Sequence, residues 1–184
     1  MRLFAAFPVR EDARSDLVGK LRRFRAAGLP VRWANDEALH VTVKFLGEVS
    51  SDRLPEVRTG IDAAVRDTRL LHFSPGELGA FPTLPRPRVL WAGYEAEPAL
   101  ELLVHRVEQQ MVLLGFPGEG RPFRAHVTLG RVRAGARLSP DGLHLFEQEP
   151  LRGEFFADRL ILYESRLGPG GANHLELDSF SLGT

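Results

Sequence analysis

The chain opens with a period-two alternation: Leu3, Ala5 and Phe7 share one side of an extended segment over Met1–Val9. The spacing then becomes helical, with Leu17, Leu21 and Phe24 on one face of Asp12–Ala27, and Gly28 and Pro30 predict where that helix ends. Short strands are predicted over Val31–Ala34 and over the β-branched-rich Leu39–Leu46. Ser51 reads as the N-cap of a second helix, whose stripe of Leu54, Val57, Ile61 and Val65 runs up to Asp67. Leu71–Phe81 and Arg88–Tyr94 predict a strand pair. The proline-rich Pro82–Pro87 between them is expected to be a loop, since proline cannot donate to a ladder. A third helix is predicted over Pro98–Leu114, closed by Gly115. A strand over Phe123–Val132, a short helix over Ser139–Phe146 and two closing strands, Leu151–Ser165 and His174–Leu182 around Gly168–Gly171, complete the pattern. Strands and helices in mixed succession predict an α+β fold with antiparallel sheets.

Composition narrows the chemistry. At 184 residues the chain is expected to form one domain, 1–184, with a core that needs no staples. It has no cysteine, which removes disulfides, thiol nucleophiles and thiolate metal sites. A formal net charge of +0 argues against a broad grip on duplex nucleic acid but leaves room for a small anion site. Lys20 and Lys44 are the only lysines, every other cation being arginine. The absence of a signal-like start or a long apolar run predicts a soluble, cytoplasmic protein with no membrane partner.

One internal echo carries chemistry. Leu39-His40-Val41-Thr42-Val43-Lys44-Phe45 and Ala125-His126-Val127-Thr128-Leu129-Gly130-Arg131 repeat a His-x-Thr pattern with the histidines 86 positions apart. In a strand, residues i and i+2 share a face, so each copy presents one imidazole and one hydroxyl together. Imidazole moves protons near neutral pH, and a threonine hydroxyl can donate to a phosphoryl oxygen without adding charge. Two facing copies supply a base where a nucleophile enters at phosphorus and an acid where the leaving oxygen departs. Neither a metal nor a cofactor is required by that arrangement. The local pattern is the same in both copies, so it does not say which histidine is the acid.

On these residues the chain resembles the 2H phosphoesterases, and within them the RNA 2′,3′-cyclic phosphodiesterases, also called 2′-5′ RNA ligases. The likeness extends to Met1-Arg2-Leu3-Phe4, His40–Val49, Gly79–Gly93 and Arg121–Arg131. It implies a bilobal, pseudo-two-fold fold in which two antiparallel sheets face a central cleft with helices outside. It also implies hydrolysis of an RNA-terminal 2′,3′-cyclic phosphate to a 2′-phosphomonoester, with His40 as proton donor and His126 as proton acceptor. Thr42 and Thr128 would bind the phosphate, with RNA ends or cyclic nucleotides as partners of a monomer. Five positions after each histidine the copies diverge to Phe45 and Arg131, which by chemistry and by likeness are expected to clamp the terminal nucleoside. Two departures stand out: Ala125, where the family commonly has proline, and Gly130, where alanine is common.

The other histidines, His72, His105, His144 and His174, have no threonine two residues on and no metal-ligand spacing, and are expected to be surface or structural. Gly168-Pro169-Gly170-Gly171 lacks the lysine of a phosphate loop and is expected to be a hairpin connection. Two further readings remain: ligation of RNA halves through a 2′-5′ linkage, from a 2′,3′-cyclic end and a 5′-hydroxyl, and a noncatalytic RNA-end or nucleotide-binding module.

Overall fold

The computed structural model describes residues 1–168 and 171–183. Its strands are β1 (Arg2–Pro8), β2 (Val31–Trp33), β3 (His40–Glu48), β4 (Leu71–Thr83), β5 (Arg86–Ala96), β6 (His126–Val132), β7 (Phe155–Ala157), β8 (Arg159–Gly168) and β9 (Gly171–Ser181). Its helices are α1 (Glu11–Ala26), α2 (Leu54–Val65), α3 (Pro98–Leu113) and α4 (Pro140–Glu147), with a short 3-10 turn at Ser51–Arg53. No described helix is long and apolar enough to cross a membrane.

The strands form one antiparallel sheet in the order β7-β4-β5-β6-β3-β1-β8-β9, with β2 added to β6. The two expected sheets are therefore halves of a single curled one, four strands to each side of the β3–β6 seam. That seam is thin: its one registered pair is Val41 with Val127. The 86-residue offset between the histidines also carries α1 onto α3 to within one residue, so β1-α1-β3 and β5-α3-β6 are two copies of one unit. Helices cover one face only. α2 packs on α3 and β9, while α1 lies against β7 and α4 against β4.

The burial of β1 follows from its central position. Leu3, Ala5 and Phe7 join the main core on the helix side, as their alternation predicts. Phe4 and Ala6, on the opposite phase, are just as buried, but in a separate small cluster with Ile161 and Tyr163. A strand apolar on both phases is one covered on both faces. Both lysines of the chain are buried beneath the sheet. Lys20 pairs with Asp16 at 2.6 Å. Lys44 pairs with Glu108 at 2.8 Å and donates to the Pro117 carbonyl at 2.6 Å.

Several boundaries differ from the sequence expectation. The proline-rich stretch is not a loop: β4 and β5 run through it, Pro82 facing Pro87, and leave only Leu84 and Pro85 in the turn. Among the described residues β7 covers β4 only at Leu71–Phe73 and β6 covers β5 only from Val89 to Gly93. The missing N–H groups at the hairpin tip thus forgo no bond to a third strand. The expected strand Leu151–Ser165 is broken at Asp158 into β7 and β8 and starts only at Phe155. β6 starts at His126 rather than Phe123. Ser51 begins the 3-10 turn, and Arg53 holds the N-cap position of α2. Ser139 caps α4, accepting the Gly142 N–H at 3.1 Å. The middle of the expected Gly168–Gly171 connection lies outside the described residues.

Candidate active site

His40-Val41-Thr42 and His126-Val127-Thr128 run antiparallel beside one another, with Val41 opposite Val127. That register sets His40 across from Thr128 and Thr42 across from His126. Both valines are fully buried on the helix side. By strand alternation the two histidines and two threonines therefore project together from the opposite face. A pseudo-two-fold axis passes between the valines, and the four chemical groups surround it.

The two imidazoles are held alike. Nδ1 of His40 lies 2.7 Å from the Ala38 carbonyl, and Nδ1 of His126 lies 2.7 Å from the Arg124 carbonyl. A carbonyl can only accept, so in both rings Nδ1 carries the proton and donates it. Nε2 is left to exchange a proton with a ligand. Each ring also has an aromatic wall from the strands alongside. Phe4 packs on His40 with ring centroids 4.9 Å apart, and His174 meets it edge-on at 5.2 Å. Phe81 meets His126 edge-on at 5.2 Å, with Trp91 at 6.2 Å.

These walls depress basicity. Burial, opposed by the bond to Ala38 and reinforced by His174 and His126, pushes the His40 imidazole down to about 4. Burial also lowers His126, against the bond to Arg124. Both rings are therefore neutral at pH 7. The negative charge of a bound phosphate favours protonation of the nearer ring, which is how a buried imidazole can become an acid only when substrate is present.

Phe45 and Arg131 reach the cleft through a shared irregularity. Ala6 faces Thr42 but Ala5 faces Lys44, so Val43 is an extra residue, a β-bulge. In the second copy Trp91 faces Thr128 and Leu90 faces Gly130, making Leu129 the extra residue. A bulge resets alternation. Without it Phe45 would follow Val41 and Val43 into the core; with it Phe45 is 65% exposed and packs on Phe4 at 5.8 Å. Arg131 is likewise exposed. Lys44 and Gly130, one residue earlier, turn to the helix side. A Cβ at Gly130 would lie 2.6 Å from Val31 Cγ1 and 2.8 Å from the Trp33 ring, so glycine fits here where any side chain would clash. Ala125, the other departure, is buried, and its carbonyl accepts the Tyr94 N–H at 2.9 Å beside His126.

Phe45 and Arg131 do not stand side by side. Because the strands are antiparallel, Phe45 lies beyond Thr42 toward the His126 end of the seam, and Arg131 beyond Thr128 toward the His40 end. They flank the central four residues from opposite ends.

Sequence reasoning missed the aromatic walls. It placed His174 among surface or structural histidines, whereas the ring lies against His40 and Phe4. No local pattern marks it, since β9 reaches His40 only through the sheet. Phe4 did carry a signal, in the second apolar phase of β1. Among the described residues no group of three or more His, Cys, Asp or Glu side chains is arranged to hold a metal ion.

The model of the LigT-like phosphoesterases matches residues 8–91, which include the first His-x-Thr strand. A curated RNA 2′,3′-cyclic phosphodiesterase of Methanocaldococcus jannaschii is 30% identical over 93% of this chain and 95% of its own length. This chain belongs to that family. Another member, from Thermus thermophilus, is 35% identical over 99% of this chain and 90% of its own. A crystal structure of a Thermus thermophilus protein superimposes with a TM-score of 0.83 at 29% identity, covering 99% of this chain and 98% of that one. The α+β architecture with a cleft-facing curled sheet is thus the family's architecture, and the enzyme class is that of a hydrolase.

Proposed function

We propose that this protein hydrolyses the 2′,3′-cyclic phosphate at an RNA end to a 2′-phosphomonoester by acid/base catalysis between His40 and His126. The observation that carries this reading is the two-fold-related pair of imidazoles, each with Nδ1–H tied to a carbonyl and Nε2 free beside a threonine. Family membership supports the substrate class.

The step balances without another reactant. Water attacks phosphorus in line with the P–O3′ bond and gives its proton to Nε2 of His126. The P–O3′ bond breaks, and O3′ takes a proton from Nε2 of His40. The Thr42 and Thr128 hydroxyls donate to the non-bridging oxygens, where charge accumulates. The assignment of acid and base follows the family likeness. With an RNA 5′-hydroxyl in place of water as the nucleophile, the same step makes a 2′-5′ linkage. Phe45 offers a ring face and Arg131 a guanidinium to the terminal nucleoside, from opposite ends of the seam. All four central groups come from one chain, which supports residues 1–184 as one catalytic unit able to work as a monomer.

The test is substitution of each histidine. His40→Ala and His126→Ala should each lower kcat on a cyclic-phosphate oligonucleotide by about 10²–10⁴-fold while still binding the product. Unchanged hydrolysis in either variant would contradict the assignment and favour a binding module.

A further inference from the structure

A cavity of about 450 Å³ opens beside His40, on the side away from His126. It lies between the end of β1, the first turn of α1, the loop entering β3 and the β8–β9 strands. His40 is the wall it shares with the catalytic cleft. Its volume is that of a small-molecule site.

The lining has the chemistry of a nucleotide rather than of a bare anion. Arg10 and Arg14 supply guanidinium groups, the donors best matched to a phosphodiester. Arg10 is only loosely engaged, 4.0 Å from Asp158, and Arg14 is exposed. Tyr163 and His174 add aromatic rings to its wall. Asn35 and Asn173 can pair with base edges, and the carboxylates of Glu37 and Glu176, which would repel a free anion, can accept from a ribose hydroxyl. Nδ1 of His174 is buried with no hydrogen-bond partner.

The direction of the reaction says which nucleotide this would be. The leaving O3′ belongs to the RNA strand that carries the cyclic phosphate, so the group that protonates it stands on that strand's side. Water, or an incoming 5′-hydroxyl, arrives from the side of His126. The strand continuing 5′ from the terminal nucleoside then runs on the side of His40, where the cavity is.

We propose that this cavity is a subsite for the second nucleotide from the cyclic end, with Arg10 and Arg14 on the phosphodiester that joins it to the terminal nucleoside. The inference rests on the cyclic phosphodiesterase reading above and extends the recognised part of the RNA end to the nucleotide upstream of the terminal one.

Three substrates separate the possibilities: adenosine 2′,3′-cyclic phosphate, the same compound bearing a 5′-phosphate, and the ApA dinucleotide ending in a cyclic phosphate. With the wild-type protein, kcat/KM for the dinucleotide should exceed that for adenosine 2′,3′-cyclic phosphate by about tenfold or more, mainly through KM. In Arg10→Ala/Arg14→Ala that ratio should fall by about fivefold or more, and in Arg14→Ala alone by a smaller factor. The single variant alters an exposed side chain and keeps the test open if the double variant folds poorly. A ratio near one in the wild type, or a ratio preserved in both variants, would overturn the subsite. So would a 5′-phosphorylated mononucleotide that reproduces the whole gain, because a phosphate pocket alone would then suffice. Absence of turnover on all three substrates would overturn the phosphodiesterase reading, and the subsite with it.

Discussion

Val41 stands directly opposite Val127 at the seam of the sheet, and both side chains are fully buried. Around that pair everything chemical is duplicated: a histidine, a threonine, a bulge and a divergent fifth residue in each strand.

The duplication predicts equivalence of the threonines. Thr42→Val and Thr128→Val should each lower kcat/KM by about 10–100-fold, the size expected for one hydrogen bond to a charged group. Steady-state kinetics on a cyclic-phosphate oligonucleotide checks this. A loss confined to one threonine would show that only one side of the axis binds the phosphate.

Activity should be greatest on the acidic side of an ordinary histidine. With His40 pushed down to about 4 and His126 lowered by burial, the form with one proton on the pair is most populated between their two values. The kcat/KM profile should therefore be bell-shaped with its maximum below pH 6.5. A maximum above pH 7 would mean that the rings are not buried as described.

The same burial makes stability depend on pH. In the unfolded chain His40 takes up a proton near pH 6.5, whereas in the fold it does so only near 4. Between those values the unfolded state binds more protons, so stability falls as pH drops from about 6.5 to 4. The contribution is of order 3 kcal/mol. His40→Gln, which cannot titrate, should flatten that part of the curve in denaturant titrations at pH 7 and pH 4.5. An unchanged slope would assign the pH dependence to other groups.

Phe45 tests the bulge. Exposed and packed only against the rim of the cleft, it contributes little to the core, so Phe45→Ala should leave the melting temperature nearly unaltered. Its KM for a cyclic-phosphate oligonucleotide should rise by about tenfold or more, the scale of one lost base stack. A large drop in melting temperature with unaltered KM would make Phe45 a packing residue.

Most of the elements were legible because their periodicity reports burial directly: the stripe of α2, the glycine ends of α1 and α3, and the alternation in β1 and β3. The His-x-Thr echo was legible because one strand face is a local property. What could not be read locally was long-range pairing. The bulges at Val43 and Leu129 appear only against β1 and β5, and they alone carry Phe45 and Arg131 out of the core phase. That Phe45 and Arg131 flank the four central groups from opposite ends was likewise not legible, because it follows from the antiparallel pairing of the two copies. His174 was set aside because β9 comes near His40 only through the sheet. The prolines at 82 and 87 misled for a related reason, since a hairpin tip with free outer edges tolerates them.

The most direct test of the two-histidine account is the identity of the product. Incubation with an RNA oligonucleotide ending in a 2′,3′-cyclic phosphate, in the presence of a chelator, followed by 31P NMR, should show a terminal 2′-phosphate formed by the wild-type protein and not by His40→Ala or His126→Ala. A 3′-phosphate product, or turnover abolished by the chelator, would contradict it.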